Sequence, residues 1–543
     1  MKDIQNLFPS IDGNQTQREH TLQLINNLLT GLDNMKNPNG LALGSILPNH
    51  EDFYGNITKE AELPQTGQSL EDTVNSLLTL SEGQRWLNSS YLANATPLPT
   101  TSSIIGNLLM TLLNGNNIWD VECSASATAE VQLTSMLSKL VGYDASQSGG
   151  YTTWGGLGAV LTSLRMSLAR RFPDSNQTGI PSNAYVFCSE LAHFSLHKSV
   201  QTTGLGTDKL IKIKTLENNT MDINDLKEQI EKVINNGGIP IYILATMGST
   251  DSFAVDDIVG IKRICTTLEE AHNLQPIFIH ADSAMGGMMT FLNNYDTTTN
   301  PLDVNDQLLP TVEKYQELFR PMHLADSMVF DFHKLGQTPY VTSMFLVKDK
   351  TNFKYVDLNP DETPYIGNRA FGSYFTSYTL ECSRAGNALP ILASILNLGV
   401  EGYQRILLHY LEVNRAFRWQ LQQEFPNVAV TNDLSPMTTF RFYPTEGYQD
   451  FEREVSGMST LSEVSEVNEF NSKICDNLAV DRDEVYFGFT RKQRYLNVSD
   501  TTASQPMTVL KFFPISLHTT VDDIAGYLDF LKSHMVSLTK VGV

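Results

Sequence analysis

The spacing of apolar residues along the chain changes at about residue 102. Before that point an apolar stripe with helical spacing runs through residues 16–35, and a cap-like Ser69 followed by early acids begins a second helical pattern. Beyond it, short apolar runs of strand length alternate with amphipathic helical segments. The pattern predicts an N-terminal helical segment, residues 1–101, which has little core of its own and therefore packs on the main domain or on a second subunit.

Residues 102–387 read as repeated strand–helix crossovers. Such crossovers predict an α/β domain with a mostly parallel sheet and helices on both faces. The predicted helices are residues 131–141, 159–172, 222–236 and 256–273. The predicted strands are residues 184–188, 209–214, 240–250, 276–282, an apolar run that ends at His333, and residues 340–348.

Residues 388–543 predict a smaller C-terminal α+β domain. A long helical pattern over residues 388–425 leads into alternating elements. This order suits an antiparallel sheet with helices on one face. Strands are predicted at residues 428–431, 438–442, 484–490 and 508–514, and helices at residues 462–478 and 521–538.

Reactive side chains follow the predicted strands of the larger domain. His193, Thr246, Asp282 and Lys334 all fall at or just after strand ends, where ligands bind in parallel sheets. Singly, each has an ordinary explanation, since most lysines are solvated and an aspartate after an apolar run usually caps a turn. Together they suit a pyridine aldehyde cofactor, because a lysine amine can bind the aldehyde and a carboxylate can keep the ring nitrogen protonated.

A glycine-rich stretch at residues 148–158 precedes the predicted helix 159–172. Glycines that open a helix let backbone amides approach an anion at the positive end of the helix dipole. The stretch therefore predicts either a phosphate cradle or a tight turn at a helix start, and glycine content alone favours neither.

Composition narrows the class of protein. A formal net charge of −22 argues against nucleic acid or an anionic membrane as a partner. The five cysteines are scattered without metal-ligand spacing, which argues against a zinc site or a disulfide framework. The first residues lack the apolar core of a signal peptide, and no apolar run is long enough to span a bilayer. These features predict a cytoplasmic enzyme.

Several motifs, in this order, resemble the group II pyridoxal-phosphate-dependent amino-acid decarboxylases, which include glutamate, aromatic amino-acid, histidine-type and diaminobutyrate enzymes. The resemblance covers residues 102–415 and implies a fold-type I architecture. The motifs are Ala-His-Phe-Ser at 192–195, Thr-Met-Gly-Ser-Thr at 246–250, Asp-Ser-Ala-Met-Gly-Gly at 282–287, Asp-Ser-Met-Val-Phe-Asp-Phe-His-Lys at 326–334, Leu-Glu-Cys-Ser-Arg at 380–384 and Gly-Val-Glu-Gly-Tyr at 399–403.

The resemblance also implies residue roles around pyridoxal 5′-phosphate. Lys334 would bind the aldehyde covalently, and Asp282 would pair with the pyridinium nitrogen. The other implied cofactor contacts are His193 stacked on the ring, Ala284 on its other face, Thr246, His333 beside the phosphate or the substrate carboxylate, and Thr152, Thr153, Gly155 and Gly156 in the phosphate-binding turn.

Family enzymes carry a loop tyrosine that closes over the site, often that of the partner subunit, and supplies a proton. Tyr365 matches this tyrosine best by its distance from the lysine, and Tyr355 is the second candidate. The chain departs from the family in Ser283, which replaces an alanine, and in a longer span before Lys334, with an insert around residues 293–319. That insert could alter the active-site wall or a dimer contact.

The resulting hypothesis is an enzyme, acting as a homodimer, that removes the α-carboxylate of an L-amino acid. Two alternatives stay open: a relative with altered chemistry, such as an aldehyde-forming oxidative decarboxylase or a lyase, and an inactive cofactor-binding scaffold. The substrate side chain is not specified by the sequence, although small polar residues near 90–101 slightly favour a small polar or acidic amino acid.

Overall fold

The computed structural model describes residues 2–5, 7–46, 52–363, 372–444 and 447–539. Its strands are β1 (Tyr91–Leu92), β2 (Gly149–Thr153), β3 (Ala184–Ser189), β4 (Leu210–Ile213), β5 (Ile239–Thr246), β6 (Phe278–Asp282), β7 (Ser327–Asp331), β8 (Ser343–Val347), β9 (Val428–Val430), β10 (Thr438–Phe442), β11 (Tyr486–Thr490), β12 (Tyr495–Val498), β13 (Thr501–Pro506) and β14 (Val509–Phe512).

Helices surround and connect these strands. The α-helices are α1 (Lys2–Gln5), α2 (Gln15–Met35), α3 (Phe53–Glu60), α4 (Leu70–Leu80), α5 (Thr101–Leu113), α6 (Ser124–Val141), α7 (Gly156–Arg171), α8 (Ser175–Thr178), α9 (Ser195–Thr203), α10 (Ile223–Asn235), α11 (Ile258–His272), α12 (Leu309–Phe319), α13 (Ala388–Glu424), α14 (Gly447–Val455), α15 (Leu461–Leu478) and α16 (Ile524–Thr539). Short 3₁₀ helices span Thr207–Lys209, Gly287–Leu292, Asp306–Leu308, Arg320–Leu324, Lys350–Tyr355, Pro360–Glu362 and Val521–Asp523.

The large sheet has seven strands in the order β2-β8-β7-β6-β5-β3-β4. The neighbouring pairs from β7 to β4 are parallel, and β8 runs antiparallel to both of its neighbours. Side chains along β6 alternate between two hydrophobic cores, with Ile279 and Ala281 in one and Phe278 in the other. A sheet covered on both faces needs such apolar strands, so the predicted α/β fold is confirmed.

The register of this sheet aligns the strand ends that carry the predicted site. Thr246, the last residue of β5, pairs with Asp282, the last residue of β6. The adjacent strand β7 ends at Asp331, three residues before Lys334. Parallel strands with aligned ends place these side chains at one edge of the sheet.

The smaller sheet has five strands in the order β1-β11-β14-β10-β9. Its four C-terminal strands are antiparallel, as the sequence predicts, but β1 from the N-terminal segment pairs parallel with β11. The segment before residue 102 therefore contains a strand as well as helices. The hairpin β12–β13 was also not predicted.

Two predicted elements differ from the structure. The long helix α13 is interrupted at Gly399, whose φ of 62° lies outside helical values. The glycine-rich stretch 148–158 is not all turn, because residues 149–153 form β2 beside β8. A Cβ on Gly150 would lie 2.5 Å from the carbonyl oxygen of Phe345, so glycine lets β2 approach that strand closely.

Candidate active site

A cavity of about 240 Å³ lies where β5, β6 and β7 end. Its wall contains seven of the residues predicted to form the site: Gly156, His193, Thr246, Asp282, Ala284, His333 and Lys334. Additional lining comes from Leu157, Ser195, Met285, Asp331, Tyr340 and the loop residues Gly248, Ser249 and Thr250. The structure thus brings together residues that are separated by up to 184 positions in the sequence, from Gly156 to Tyr340.

Lys334 projects into this cavity from the turn after β7. Its Nζ lies 2.9 Å from Oδ2 of Asp331, and its side chain is 22% exposed. Burial works to lower the pKa of the amine, but the nearby carboxylates of Asp331 and Asp282 outweigh burial and raise it above the ordinary lysine value. The amine is therefore protonated at neutral pH while Asp331 holds it.

The Asp331 carboxylate has further partners besides Lys334. Its Oδ1 accepts a hydrogen bond of 2.6 Å from the Ser343 hydroxyl, and its Oδ2 lies 3.7 Å from Nε2 of His333. Burial opposes ionisation of this carboxyl, but Lys334, His333 and the Ser343 hydrogen bond together leave its pKa below the ordinary value. Sequence reasoning missed Asp331, although it stands inside the motif that contains Lys334.

Asp282 is a buried carboxylate at the end of β6. Burial raises its pKa to about 6, although the charge of Lys334 works in the opposite direction. Oδ1 accepts a long hydrogen bond of 3.4 Å from the Ala284 backbone N–H. A buried carboxylate on the wall of a cavity is suited to a cationic or N–H partner that enters the cavity.

Two histidines border the cavity in their neutral forms. The Ser195 backbone N–H donates to Nδ1 of His193 over 3.2 Å, and burial together with the charge of Lys334 lowers the pKa of His193. Nδ1 of His333 lies 3.0 Å from the carbonyl oxygen of Thr342, and burial lowers the pKa of His333 as well. Neutral rings can pack on a planar ligand without adding charge to the site.

The N-terminus of α7 faces the cavity through Gly156. Gly155 has a φ of 106°, a backbone conformation that favours glycine. A Cβ on Gly156 would lie 3.1 Å from Oδ2 of Asp331 and 3.2 Å from Cβ of Ala284. The close approach leaves backbone N–H groups of the first helical turn near the cavity, as an anion site requires.

Thr152 and Thr153 lie in β2 and are not among the residues that line the cavity. The Thr152 hydroxyl donates over 2.7 Å to Oε2 of Glu130, and the Thr153 hydroxyl donates over 3.0 Å to the Gly155 carbonyl. Both hydroxyls are thus engaged within the protein. Their predicted contact with phosphate stays a prediction.

The residues also fit pyridoxal phosphate by an independent observation. The hydroxyl oxygen of Thr246 is buried and has no hydrogen-bond partner within the described chain, and it lies on the cavity wall. An orphaned hydroxyl of this kind indicates a missing polar ligand. Together with Asp282, Lys334 and the α7 N-terminus, the Thr246 hydroxyl gives the cavity a carboxylate, an amine, a hydroxyl and backbone N–H groups. This set of groups fits the polar atoms of the cofactor.

The candidate proton donors are placed differently. Tyr365 lies outside the described residues. Tyr355 ends the 3₁₀ helix Lys350–Tyr355, its backbone carbonyl accepts a hydrogen bond from Asn176, and its side chain is not among those that line the cavity. Tyr340, which the sequence did not single out, does line the cavity, and its ring centroid lies 4.3 Å from that of His333.

The insert at residues 293–319 contributes no side chain to the cavity wall. It packs on the C-terminal part of the chain, where Lys314 forms an ion pair of 2.7 Å with Asp433 and the Tyr315 hydroxyl donates to the Leu434 carbonyl. Within the described chain, none of the cavity-lining residues belongs to it. The insert does not line this cavity, and its predicted effect on the active-site wall or on a dimer contact stays a prediction.

Known proteins resemble this chain in sequence and in fold. Residues 56–443 match the model of the pyridoxal-dependent decarboxylase conserved domain. An L-2,4-diaminobutyrate decarboxylase of Acinetobacter baumannii is 25% identical over 429 residues, 75% of this chain and 75% of that protein. An aromatic-L-amino-acid decarboxylase of Bacillus atrophaeus is 23% identical over 447 residues, 80% of this chain and 79% of that protein.

Solved structures show the same fold at low identity. The glutamate decarboxylase domain of a Vibrio parahaemolyticus diaminobutyrate-pyruvate transaminase and L-2,4-diaminobutyrate decarboxylase has a TM-score of 0.73 and 17% identity, covering 99% of both chains. The Oryza sativa TDC structure with PLP and tryptamine has a TM-score of 0.74 and 16% identity, covering 98% of this chain and 99% of that one.

The chain belongs to the pyridoxal-dependent decarboxylase family. The predictions of family, fold-type I architecture, pyridoxal phosphate dependence and amino-acid decarboxylase class are confirmed at this level. No helix in the described ranges is both long and apolar enough to cross a membrane.

Proposed function

We propose that this enzyme releases carbon dioxide from the α-carboxylate of an L-amino acid, with Lys334 as the residue that binds the cofactor and Asp282 as the partner of its ring nitrogen. One observation carries the assignment: the Lys334 amine and the Asp282 carboxylate face one buried cavity from adjacent strand ends. When bound, the cofactor supplies the electron sink that makes loss of the carboxylate possible.

The other predicted site residues bind different parts of the cofactor. His193 packs on one face of its ring and Ala284 on the other, while Thr246 supplies a hydroxyl. Gly155 and Gly156 present backbone N–H groups to the phosphate, with Thr152 and Thr153 supporting that turn from β2. His333 borders the phosphate or the substrate carboxylate, and a loop tyrosine, Tyr365 before Tyr355, gives the proton that replaces carbon dioxide.

Borohydride fixation of the loaded enzyme tests the lysine assignment. Reduction makes a covalent attachment permanent, and peptide mass analysis then identifies the modified residue. We expect modification at Lys334, loss of the yellow absorbance band in Lys334→Ala, and no change in Lys227→Ala, whose side chain is 51% exposed on the surface. A Lys334→Ala protein that still fixes the cofactor covalently would overturn the assignment.

A substrate panel tests the reaction. Carbon dioxide, amine, aldehyde and peroxide are measured together across the amino acids with folded, cofactor-loaded enzyme. Carbon dioxide and amine in equal amounts support decarboxylation, whereas aldehyde with peroxide indicates the oxidative route. No carbon dioxide from any amino acid would contradict the proposal.

The same proposal includes a homodimer in the cytoplasm. The α5 apolar face, made of Ile104, Ile105, Leu108, Leu109, Leu112 and Leu113, is exposed, with Ile105 61% and Leu112 58% accessible. The opposite side of α5 packs on α13, where a Cβ on Gly106 would lie 2.7 Å from Cα of Pro390. The Thr100 N–H donates to the Gln337 carbonyl, so the helix begins beside the turn of Lys334.

A second copy is the occupant that we propose for the α5 apolar face. Six large exposed apolar side chains on one helix face are unusual for a monomer. Helices α2 and α4 have no fully buried side chains, as expected for a segment completed by a partner. The five unpaired cysteine thiols support a reducing compartment.

A further inference from the structure

We propose that Asp331 is a positioning residue: it holds the Lys334 amine as a protonated ion pair before cofactor binds and must release it for covalent attachment. The inference rests on the proposed role of Lys334. Its basis is geometric, because Oδ2 of Asp331 lies 2.9 Å from Nζ of Lys334 while Oδ1 is fixed by the Ser343 hydroxyl at 2.6 Å.

Among the groups that face the Lys334 amine, Asp331 makes the strongest electrostatic interaction with it. Asp282, His193, His333 and Tyr340 share the cavity wall with Lys334. Among the described residues, Asp331 makes the one ion pair within 4.0 Å of the Lys334 amine. Its side chain is 2% exposed, so water screens the pair weakly.

The ion pair has a chemical consequence for loading of the cofactor. A protonated amine cannot attack an aldehyde, so the ammonium must first lose a proton. The amine nitrogen then bonds to the aldehyde carbon, and the carbonyl oxygen leaves as water. No oxidant or reductant is needed. Asp331 keeps the proton on Lys334 and thereby sets the pH at which attachment becomes fast.

A pH profile of attachment tests this proposal. Cofactor-free enzyme is mixed with pyridoxal phosphate between pH 6 and about pH 12, and covalent attachment is quantified by borohydride fixation and peptide mass analysis. Asp331→Asn keeps the shape of the side chain but removes its charge. In Asp331→Asn we expect the pH profile of attachment to move to lower pH by about one unit or more. At a fixed pH below the midpoint, each unit of that shift should accelerate attachment about tenfold.

A second probe separates the amine from the rest of the cofactor site. Reductive methylation with formaldehyde modifies any neutral lysine and needs neither the phosphate nor the ring contacts. Methylation of Lys334, followed by mass analysis in cofactor-free enzyme, should accelerate in Asp331→Asn as attachment does. Asp251→Asn is the matched control, because Asp251 pairs with Lys511 and not with Lys334. In that control, the pH profiles of cofactor attachment and of methylation should be the same as in the unsubstituted enzyme.

The outcomes distinguish the two proposals. Attachment to another lysine would overturn the assignment of Lys334. Attachment to Lys334 with the same or a higher midpoint in Asp331→Asn would overturn the role of Asp331 alone. If Asp331→Asn does not fold, the unsubstituted enzyme decides: methylation of Lys334 with a midpoint at or below the ordinary lysine value of about 10.4 would equally refute the ion-pair role.

Discussion

Burial of the Asp282 carboxyl raises its pKa to about 6, well above the ordinary aspartate value of about 3.9. The folded, cofactor-free protein therefore binds a proton more tightly than the unfolded chain does. Stability from this group is present below pH 4 and is lost as the pH rises through about 6. The carboxylate that suits a cofactor thus weakens the fold when no partner neutralises it.

Asp282→Asn should therefore stabilise the cofactor-free protein at pH 7.5. Replacing the buried charge by a neutral amide should raise the free energy of unfolding by about 2–3 kcal/mol at that pH, and by nothing below pH 4. Urea denaturation at both pH values measures the difference. The substituted enzyme should at the same time lose most of its decarboxylase activity.

Asp256→Asn is an informative comparison for this prediction. Burial also raises the pKa of Asp256 to about 6, but its carboxylate accepts hydrogen bonds of 2.7 Å from the backbone N–H groups of Met221 and Thr246. An amide can leave one of those donors unpaired, so this substitution should destabilise the protein. Equal stabilisation by both substitutions would contradict the explanation for Asp282.

At the scale of elements, the start of α7 depends on its glycine. Gly156→Ala would place a methyl group 3.1 Å from Oδ2 of Asp331 and 3.2 Å from Cβ of Ala284. The helix start would have to move away from the cavity, so we expect weaker cofactor binding, by about tenfold or more. Equilibrium dialysis with pyridoxal phosphate measures this loss.

The matched control is Gly526→Ala in α16, where a Cβ would meet nothing within 4 Å. Alanine is a better helix former than glycine, so this substitution should be neutral or slightly stabilising and should leave cofactor affinity unchanged. Unchanged affinity in Gly156→Ala as well would contradict the proposed role of the α7 start.

Helices and strands were predictable from the sequence where burial on both faces requires a continuous run of apolar residues. Strands β3, β5 and β6 are apolar on both faces, and the ends of these strands identified His193, Thr246 and Asp282 as candidate site residues. Strand β2 was not predicted, because its glycines are typical of a turn. In the structure those glycines allow the close approach of β8. Asp331 was not predicted as a site residue, because its proposed role depends on a 2.9 Å contact with the Lys334 amine that the sequence motif does not reveal.

A buried ion pair between Arg384 and Glu130 connects three elements of the structure. Arg384 Nη2 donates to Oε2 of Glu130 over 2.6 Å, and Glu130 also receives hydrogen bonds from the Thr152 hydroxyl and from the Tyr374 hydroxyl. The pair joins α6 and β2 to the segment that precedes α13. Both side chains are almost completely buried.

Arg384→Met should leave Glu130 buried without its partner. Loss of one partner of a buried pair costs about 3–5 kcal/mol, because the remaining charge is uncompensated. The double variant Arg384→Met, Glu130→Gln should recover part of that loss in urea denaturation. A single variant as stable as the unsubstituted enzyme would show that the pair does not tie these elements together.

At the scale of the whole molecule, the α5 apolar face is a large exposed apolar surface. Replacing Ile105 and Leu109 together by glutamate would place two charges where the proposed homodimer buries aliphatic side chains. Burying an unpaired charge is costly, so the dimer dissociation constant should rise by at least about a hundredfold. Analytical ultracentrifugation over a range of concentrations measures this change.

Val480→Glu is the control for this surface, since Val480 follows α15 and is 77% exposed. It should leave the sedimentation of the enzyme unchanged. Because α5 begins beside the turn that carries Lys334, the monomeric Ile105→Glu, Leu109→Glu variant should also lose decarboxylase activity while its circular dichroism remains native. A monomeric unsubstituted enzyme, or a double variant that stays dimeric at nanomolar concentration, would show that α5 is not the subunit interface.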